Sequence, residues 1–297
     1  MEQQAVLNFY RRQSQWTDPG SMAALYADLP TDPPALAHIV QNVLIAPYRF
    51  RLSLYGLQPD DIDSVDFGLH RMDALLERIQ QRAPGPLAQP RAPRDRIGAI
   101  CRNFAALHVS LLRHVGIPAR ERVGFAGYLG GALFYDHRIT QYWDAAQHRW
   151  ILADAWVDAP LRQARGMTCD PLDLRPGDPF VLAGVAWQGC RRGERDPQQF
   201  GDSETDRGMP PIRYALLHDF AALNGYEVLG CDDWGDLITK PEADLTPADL
   251  ALLDQIATLT LDADTSFADM HALFAATDYG QAVARETARV LAGSVSA

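Results

Sequence analysis

Cysteine is scarce. Four thiols, Cys101, Cys169, Cys190 and Cys231, are spread through 297 residues, and no two form a C-x-x-C pair. That usage argues against a disulfide framework and against a cysteine-rich zinc site. Long apolar runs are missing as well. No window approaches the roughly 18 consecutive apolar residues that a membrane-spanning helix needs, and the opening stretch "MEQQAVLNFYRRQSQW" lacks the apolar core of a signal peptide. Basic residues are in short supply, 27 Lys and Arg against 38 Asp and Glu, for a formal net charge of −11. No basic run offsets that balance, which excludes general nucleic-acid binding. Internal repeats and low-complexity tracts are absent. The expectation is a soluble, cytoplasmic protein with neither a nucleic-acid nor a membrane partner.

What is present is enough apolar material, 47% of the residues, for a sizeable core. Residues 1–83 read as a helical region. "EQQAVLNFYRRQSQW" has helical apolar spacing, "SMAALYADL" follows a candidate N-cap at Ser21, and "PPALAHIVQNVLI" opens on prolines that a first helical turn tolerates. In "LHRMDALLERIQQRA" the residues Leu69, Met72, Leu75, Leu76 and Ile79 share one face. Residues 84–94, with four prolines, read as an extended connector. Residues 95–168 switch from helix to strand: "ARERVGFAGYL", "ALFYDHRITQYW" and "RWILADAWV" carry β-branched and aromatic residues with turn chemistry between them. Residues 169–297 read as mostly helical, packed with the core as one globular unit. The candidate helices are "PFVLAGVAWQGCRRG", "PIRYALLHDFAALNG", "TPADLALLDQIATL", started by Thr246 and Pro247, and "TDYGQAVARETARVLAG". The polar stretch from Arg191 to Pro211 reads as a mobile surface loop. Helices flanking a short antiparallel sheet give an α+β class.

The segment "GAICRNFAALHVSLLRHVGIPAR" places Cys101 where a loop turns into an apolar helix. Phe104, Ala105, His108, Leu111, Leu112 and Val115 share its face. Gly116 is suited to the left-handed conformation past the helix end, and Pro118 prevents continuation. A cysteine buried within a helix is usually a packing residue. At a helix start it meets unsatisfied N–H groups, which favour a thiolate and can hold an oxyanion. Cys101 is thus a candidate nucleophile, with its own backbone N–H as an oxyanion donor.

Its candidate partners lie in "DHRITQYWDAAQHRWILADAW", read as a β-ribbon. In an antiparallel pair, facing residue numbers sum to a constant. A two-residue loop between Asp144 and Gln147 gives a sum of 291 and sets His137 opposite Asp154. Pairing Trp143 with Trp150 gives 293, sets Asp154 opposite Ile139 and makes His137 its diagonal neighbour. Both registers put His137 and Asp154 on one face. If the Cys101 helix packs on that face, the three meet. Asp154 would then orient the His137 imidazole, and His137 would deprotonate Cys101. Other candidates fit less well. His108 lies two turns along the helix and reads as packing, His114 sits at the helix C-terminus, and His148 lies in the turn. Cys190 sits late in a helix, while Cys169 and Cys231 have no nearby base. Trp143 and Trp150 read as core or cross-strand aromatics.

At these residues the sequence resembles the transglutaminase-like superfamily of papain-like cysteine enzymes, in particular its bacterial members. The resemblance rests on "GAICRNFAALHVSLLRHVGIPARERVGFAGY" followed by "DHRITQYWDAAQHRWILADAW". It implies a nucleophile helix packed on an antiparallel sheet, with Cys101, His137 and Asp154 as the catalytic set. Many relatives have Asp where this chain has Asn103, and Asp-Pro where it has Asp154-Ala155. The expected activity is acyl transfer on a peptide, amide or thioester through a Cys101 acyl-enzyme, with water or an amine as acceptor and no cofactor or metal. A non-catalytic binding module with the same fold is the alternative, and a zinc site on the same three residues is a third reading. Oligomeric state stays open.

Overall fold

The computed structural model describes residues 2–65, 68–177 and 179–293. In chain order the described helices are α1 (Glu2–Tyr10), α2 (Pro33–Val43), α3 (Arg49–Ser53), α4 (Met72–Arg82), α5 (Cys101–His114) and α6 (Ala159–Arg165). They continue with α7 (Ala183–Arg191), α8 (Met209–Leu223), α9 (Asp236–Thr239), α10 (Pro247–Leu261), α11 (Phe267–Ala276) and α12 (Asp278–Gly293). The strands are β1 (Leu44–Ile45), β2 (Ile97–Gly98), β3 (Ala119–Ala126), β4 (Phe134–Asp144), β5 (Arg149–Ala153), β6 (Phe180–Leu182) and β7 (Phe200–Gly201). The class is α+β. None of the described helices is long and apolar enough to cross a membrane.

The chain divides into two compact units, one of Leu7–Glu121 with Arg138–Asp178, the other of Met1–Val6, Arg122–His137 and Pro179–Ala297. Strands β3 and β4 run from one into the other.

In the first unit, α2 starts on Asp32, whose carboxylate accepts from Ala35 N at 3.0 Å, with Pro33 as the first helical residue. Met72, Leu75, Leu76 and Ile79 form the buried face of α4, as their spacing requires. Helix α5 is buried on nearly all sides. Each of Phe104, Leu107, Val109, Leu111 and Leu112 contributes about 1.5–3 kcal/mol by leaving water. The helix stops in a Schellman turn: Gly116, at φ 85°, donates to Arg113 O at 3.1 Å, and Ile117 donates to Leu112 O at 2.9 Å. α5 lies on the β-ribbon, where the Thr140 hydroxyl donates to Ala105 O at 3.4 Å and the Tyr142 ring meets His108 edge-on. A short parallel pair, Leu44–Ile97 and Ile45–Gly98, leads into α5.

In the second unit, β3 pairs antiparallel with β6, and β4 pairs parallel with β7. Helices α7, α8 and α10 pack against one another. Asp219 of α8 takes the Arg122 guanidinium at 3.0 and 2.9 Å and the Val123 N–H at 2.8 Å. Thr246 and Asp249 cap α10 reciprocally, the Asp249 N–H on the threonine hydroxyl and the Thr246 N–H on the carboxylate.

Three sequence expectations need correction. Ser21 caps nothing; Gly20–Tyr26 is a 3-10 helix that follows Pro19. "PFVLAG" is not helical from its start, because Phe180–Leu182 pair with β3 before α7 begins. A short apolar run fits either state, and the open edge of β3 decided it. The stretch from Arg191 to Pro211 is mostly exposed, as a surface loop is, but it is not structureless. Pro197–Gln199 form a 3-10 turn, Phe200 is fully buried against Phe125 and Phe134, and Gly201 bridges Arg207.

Candidate active site

Cys101 is the first residue of α5 and is half-buried. The next two residues anchor the helix start. Arg102 is buried and donates to His70 O at 2.9 Å. Asn103 accepts from Ile100 N through its side chain at 3.3 Å, a capping contact that an aspartate at this position would also make. Behind them, Gly98 is held from two sides: its N–H donates to Asp63 O at 2.8 Å, its carbonyl accepts from Val65 N at 2.9 Å, and the Ala99 N–H donates to Ile45 O at 2.9 Å. A Cβ on Gly98 would lie 2.2 Å from the Ser64 hydroxyl, so only glycine lets the two segments approach this closely.

The β-ribbon has the register in which Trp143 faces Trp150 and Thr140 faces Ala153. His148 takes the positive φ, 50°, that the turn between them requires. One step further along that ladder sets Ile139 opposite Asp154, with His137 two residues away on the strand. The described pairs end at Thr140, three residues short of His137. Within the ladder, Thr140 and Tyr142 are the residues that meet α5. Strict alternation from Thr140 would turn His137 to the other side of β4, and one extra residue between them would return it. His137 is buried, with the Tyr128 ring edge-on at 6.3 Å.

Asp154 is buried just past the end of β5. Its N–H donates to Pro171 O at 2.7 Å, and its Oδ1 accepts from Trp156 N at 2.9 Å. The turn that follows is clamped by residues the sequence reading passed over. Gln41 donates to Val157 O at 3.0 Å, and Arg51 donates to Trp156 O at 3.1 Å. Arg51 also pairs with Asp158 at 2.7 Å, both buried, while the Tyr55 hydroxyl donates to the same carboxylate. Burial pulls the Arg51 guanidinium below its ordinary pKa, and the Asp158 charge offsets part of that; burial pushes the Asp158 carboxyl up against the pull of Arg51. Asp158 carried a readable signal, because an aspartate followed by Ala159-Pro160 is a helix start, and it caps α6 through Leu161 N at 3.1 Å. Arg51 carried none.

His108 is fully buried in α5, and burial depresses its pKa from 6.5 to about 4, outweighing the Pro33 backbone and the Asp154 charge, which act the other way. Because the folded pKa lies below the unfolded one, the unfolded chain takes up the proton first as pH falls. His108 therefore withdraws about 3 kcal/mol of stability as pH drops from about 6.5 to about 4. Urea titrations of His108→Leu and the parent across that range should show a shallower acid loss in the variant; parallel curves would contradict this reading.

Among the described residues, no group of three or more His, Cys, Asp and Glu side chains is placed to hold a metal ion. None of the four cysteines forms a disulfide.

Residues 78–155 match the model of the transglutaminase-like superfamily core. Members of this superfamily are typically cysteine enzymes. Cys101, His137 and Asp154 all fall within the matched residues. A comparison with curated proteins finds no match. Among solved structures the chain is similar to a "putative cysteine protease from Cytophaga hutchinsonii", with 16% identity and a TM-score of 0.32 over 59% of this chain and 45% of that one. The chain thus spans less than half the length of that protein, and so distant a likeness adds nothing to the assignment.

Proposed function

We propose that the chain is an acyl-transfer enzyme that works through a thioester on Cys101. The observation that carries this reading is a half-buried cysteine opening a long, firmly anchored helix inside a transglutaminase-like core. The Cys101 sulfur attacks the carbonyl carbon of a peptide, amide or thioester. The Cys101 N–H, one of the four that a helix start leaves without an intrahelical partner, donates to the developing oxyanion. His137 takes the thiol proton and returns it to the leaving amine or thiol as the C–N or C–S bond breaks. Water or an amine then attacks the thioester, gives its proton to His137 and releases the sulfur. Asp154 orients the imidazole and stabilises its cation.

Thiol reactivity tests this. Iodoacetamide at pH 6 should alkylate Cys101 at least about tenfold faster than the other three cysteines. Cys231 is the exposed thiol and Cys190 has its pKa raised by burial, so exposure alone would favour Cys231. Equal, slow labelling of all four would favour a non-catalytic binding module.

A further inference from the structure

A cavity of about 300 Å³ lies directly upstream of Cys101, lined by residues 98–100 on one side and by Pro47, Tyr48, Ser64 and Val65 on the other. Its wall ends one residue before the proposed nucleophile, a Cα step of about 3.8 Å. The described residues that line it carry no charge. Several of the backbone groups around it are already occupied. Gly98 uses both its N–H and its carbonyl, and Ala99 uses its N–H. The Ile100 N–H goes to Asn103, and the Ile100 carbonyl accepts from Asn103 N and Phe104 N. The described side chains that can meet a ligand there are apolar apart from the Ser64 and Tyr48 hydroxyls. At the rim, Tyr48 is 54% exposed, with its ring 6.4 Å from that of Trp156. An exposed aromatic at the edge of an uncharged cavity suits a binding mouth.

We infer that this cavity is a side-group pocket of the enzyme's amide substrate and selects substrates by an uncharged, hydrophobic group of about leucine to phenylalanine size. The inference rests on the acyl-transfer reading. The volume is about twice that of an engineered apolar cavity that takes up benzene, enough for one such group with its linking atoms. A carboxylate or ammonium would be stripped of water there with no opposite charge among the described lining residues to receive it.

The test measures binding and reactivity separately. N-benzylacetamide, N-isobutylacetamide and N-acetylglycine are titrated by calorimetry into the Cys101→Ala chain, and the amide shifts of Gly98 and Ala99 are followed by NMR. The two apolar amides should bind at least about tenfold more tightly than N-acetylglycine and should move those two amides. Tyr48→Asp, which places a charge at the rim and a favourable N-cap residue before α3, should weaken N-benzylacetamide about tenfold while leaving the thermal midpoint in place. Equal affinity for the charged and apolar probes, or an unchanged affinity in Tyr48→Asp, overturns the pocket assignment. Alkylation of Cys101 in the parent chain reports on the other reading. A slow Cys101 with intact apolar selectivity overturns the acyl-transfer function and with it the pocket's role in substrate choice. A fast Cys101 without selectivity overturns the pocket alone.

Discussion

Cys101→Ala should remove turnover of any amide or thioester substrate by about 10⁴-fold or more and abolish the covalent adduct, while leaving the fold intact. The size follows from what the thiol does. Without it no thioester forms, and the base and the oriented carboxylate have no nucleophile to serve, so their contributions vanish together. The fold should survive because the change removes one half-buried sulfur, whereas the helix start is held by Arg102 on His70 O and by Asn103 on Ile100 N. Substrate turnover and intact mass, read beside a thermal melt, separate the two. A variant that melts like the parent and still turns over substrate would place the chemistry elsewhere.

Arg51→Ala should cost about 3–5 kcal/mol of stability, because it strands the Asp158 carboxylate in a buried site. The loss should be largely recoverable. Arg51→Met combined with Asp158→Asn removes both charges, keeps a side chain able to cap α6, and replaces an ion pair whose partners both feel a net cost of burial. Urea midpoints of the single and double variants measure this. A double variant as unstable as the single one would mean that Arg51 acts through Trp156 O and its aromatic neighbours, Tyr55 and Trp156, instead. The same substitution loosens the turn that follows Asp154, so Arg51→Ala should also lower turnover if Asp154 orients the base.

Much of what positions the site could be read from spacing. The Cys101 helix, its stop at Gly116, the Thr246 cap and the face of α4 are all local: each depends on residues within a turn or two, and the chain meets those requirements in sequence. The ribbon register was narrowed to two values, and the longer turn, with His148 at positive φ, is the one found. What escaped depends on partners far along the chain. A two-residue strand such as β1, β2 or β7 has no periodicity, and exists because a distant edge is there to pair with. β6 looked helical for the same reason. The clamp on the turn after Asp154 joins Gln41 and Arg51 to residues more than a hundred positions away, and nothing in a lone arginine announces such a role.

The central claim is that a thioester forms on one particular sulfur. The most direct measurement incubates the protein with a mixed library of peptides, simple amides and thioesters, quenches in acid, and maps the adduct after trypsin digestion. Cleavage after Arg96 and Arg102 yields the peptide Ile97–Arg102, whose single cysteine is Cys101. The account expects the acyl mass on that peptide alone. An adduct on the peptides of Cys169, Cys190 or Cys231, or a protein that carries no acyl group with any member of the library, would contradict it.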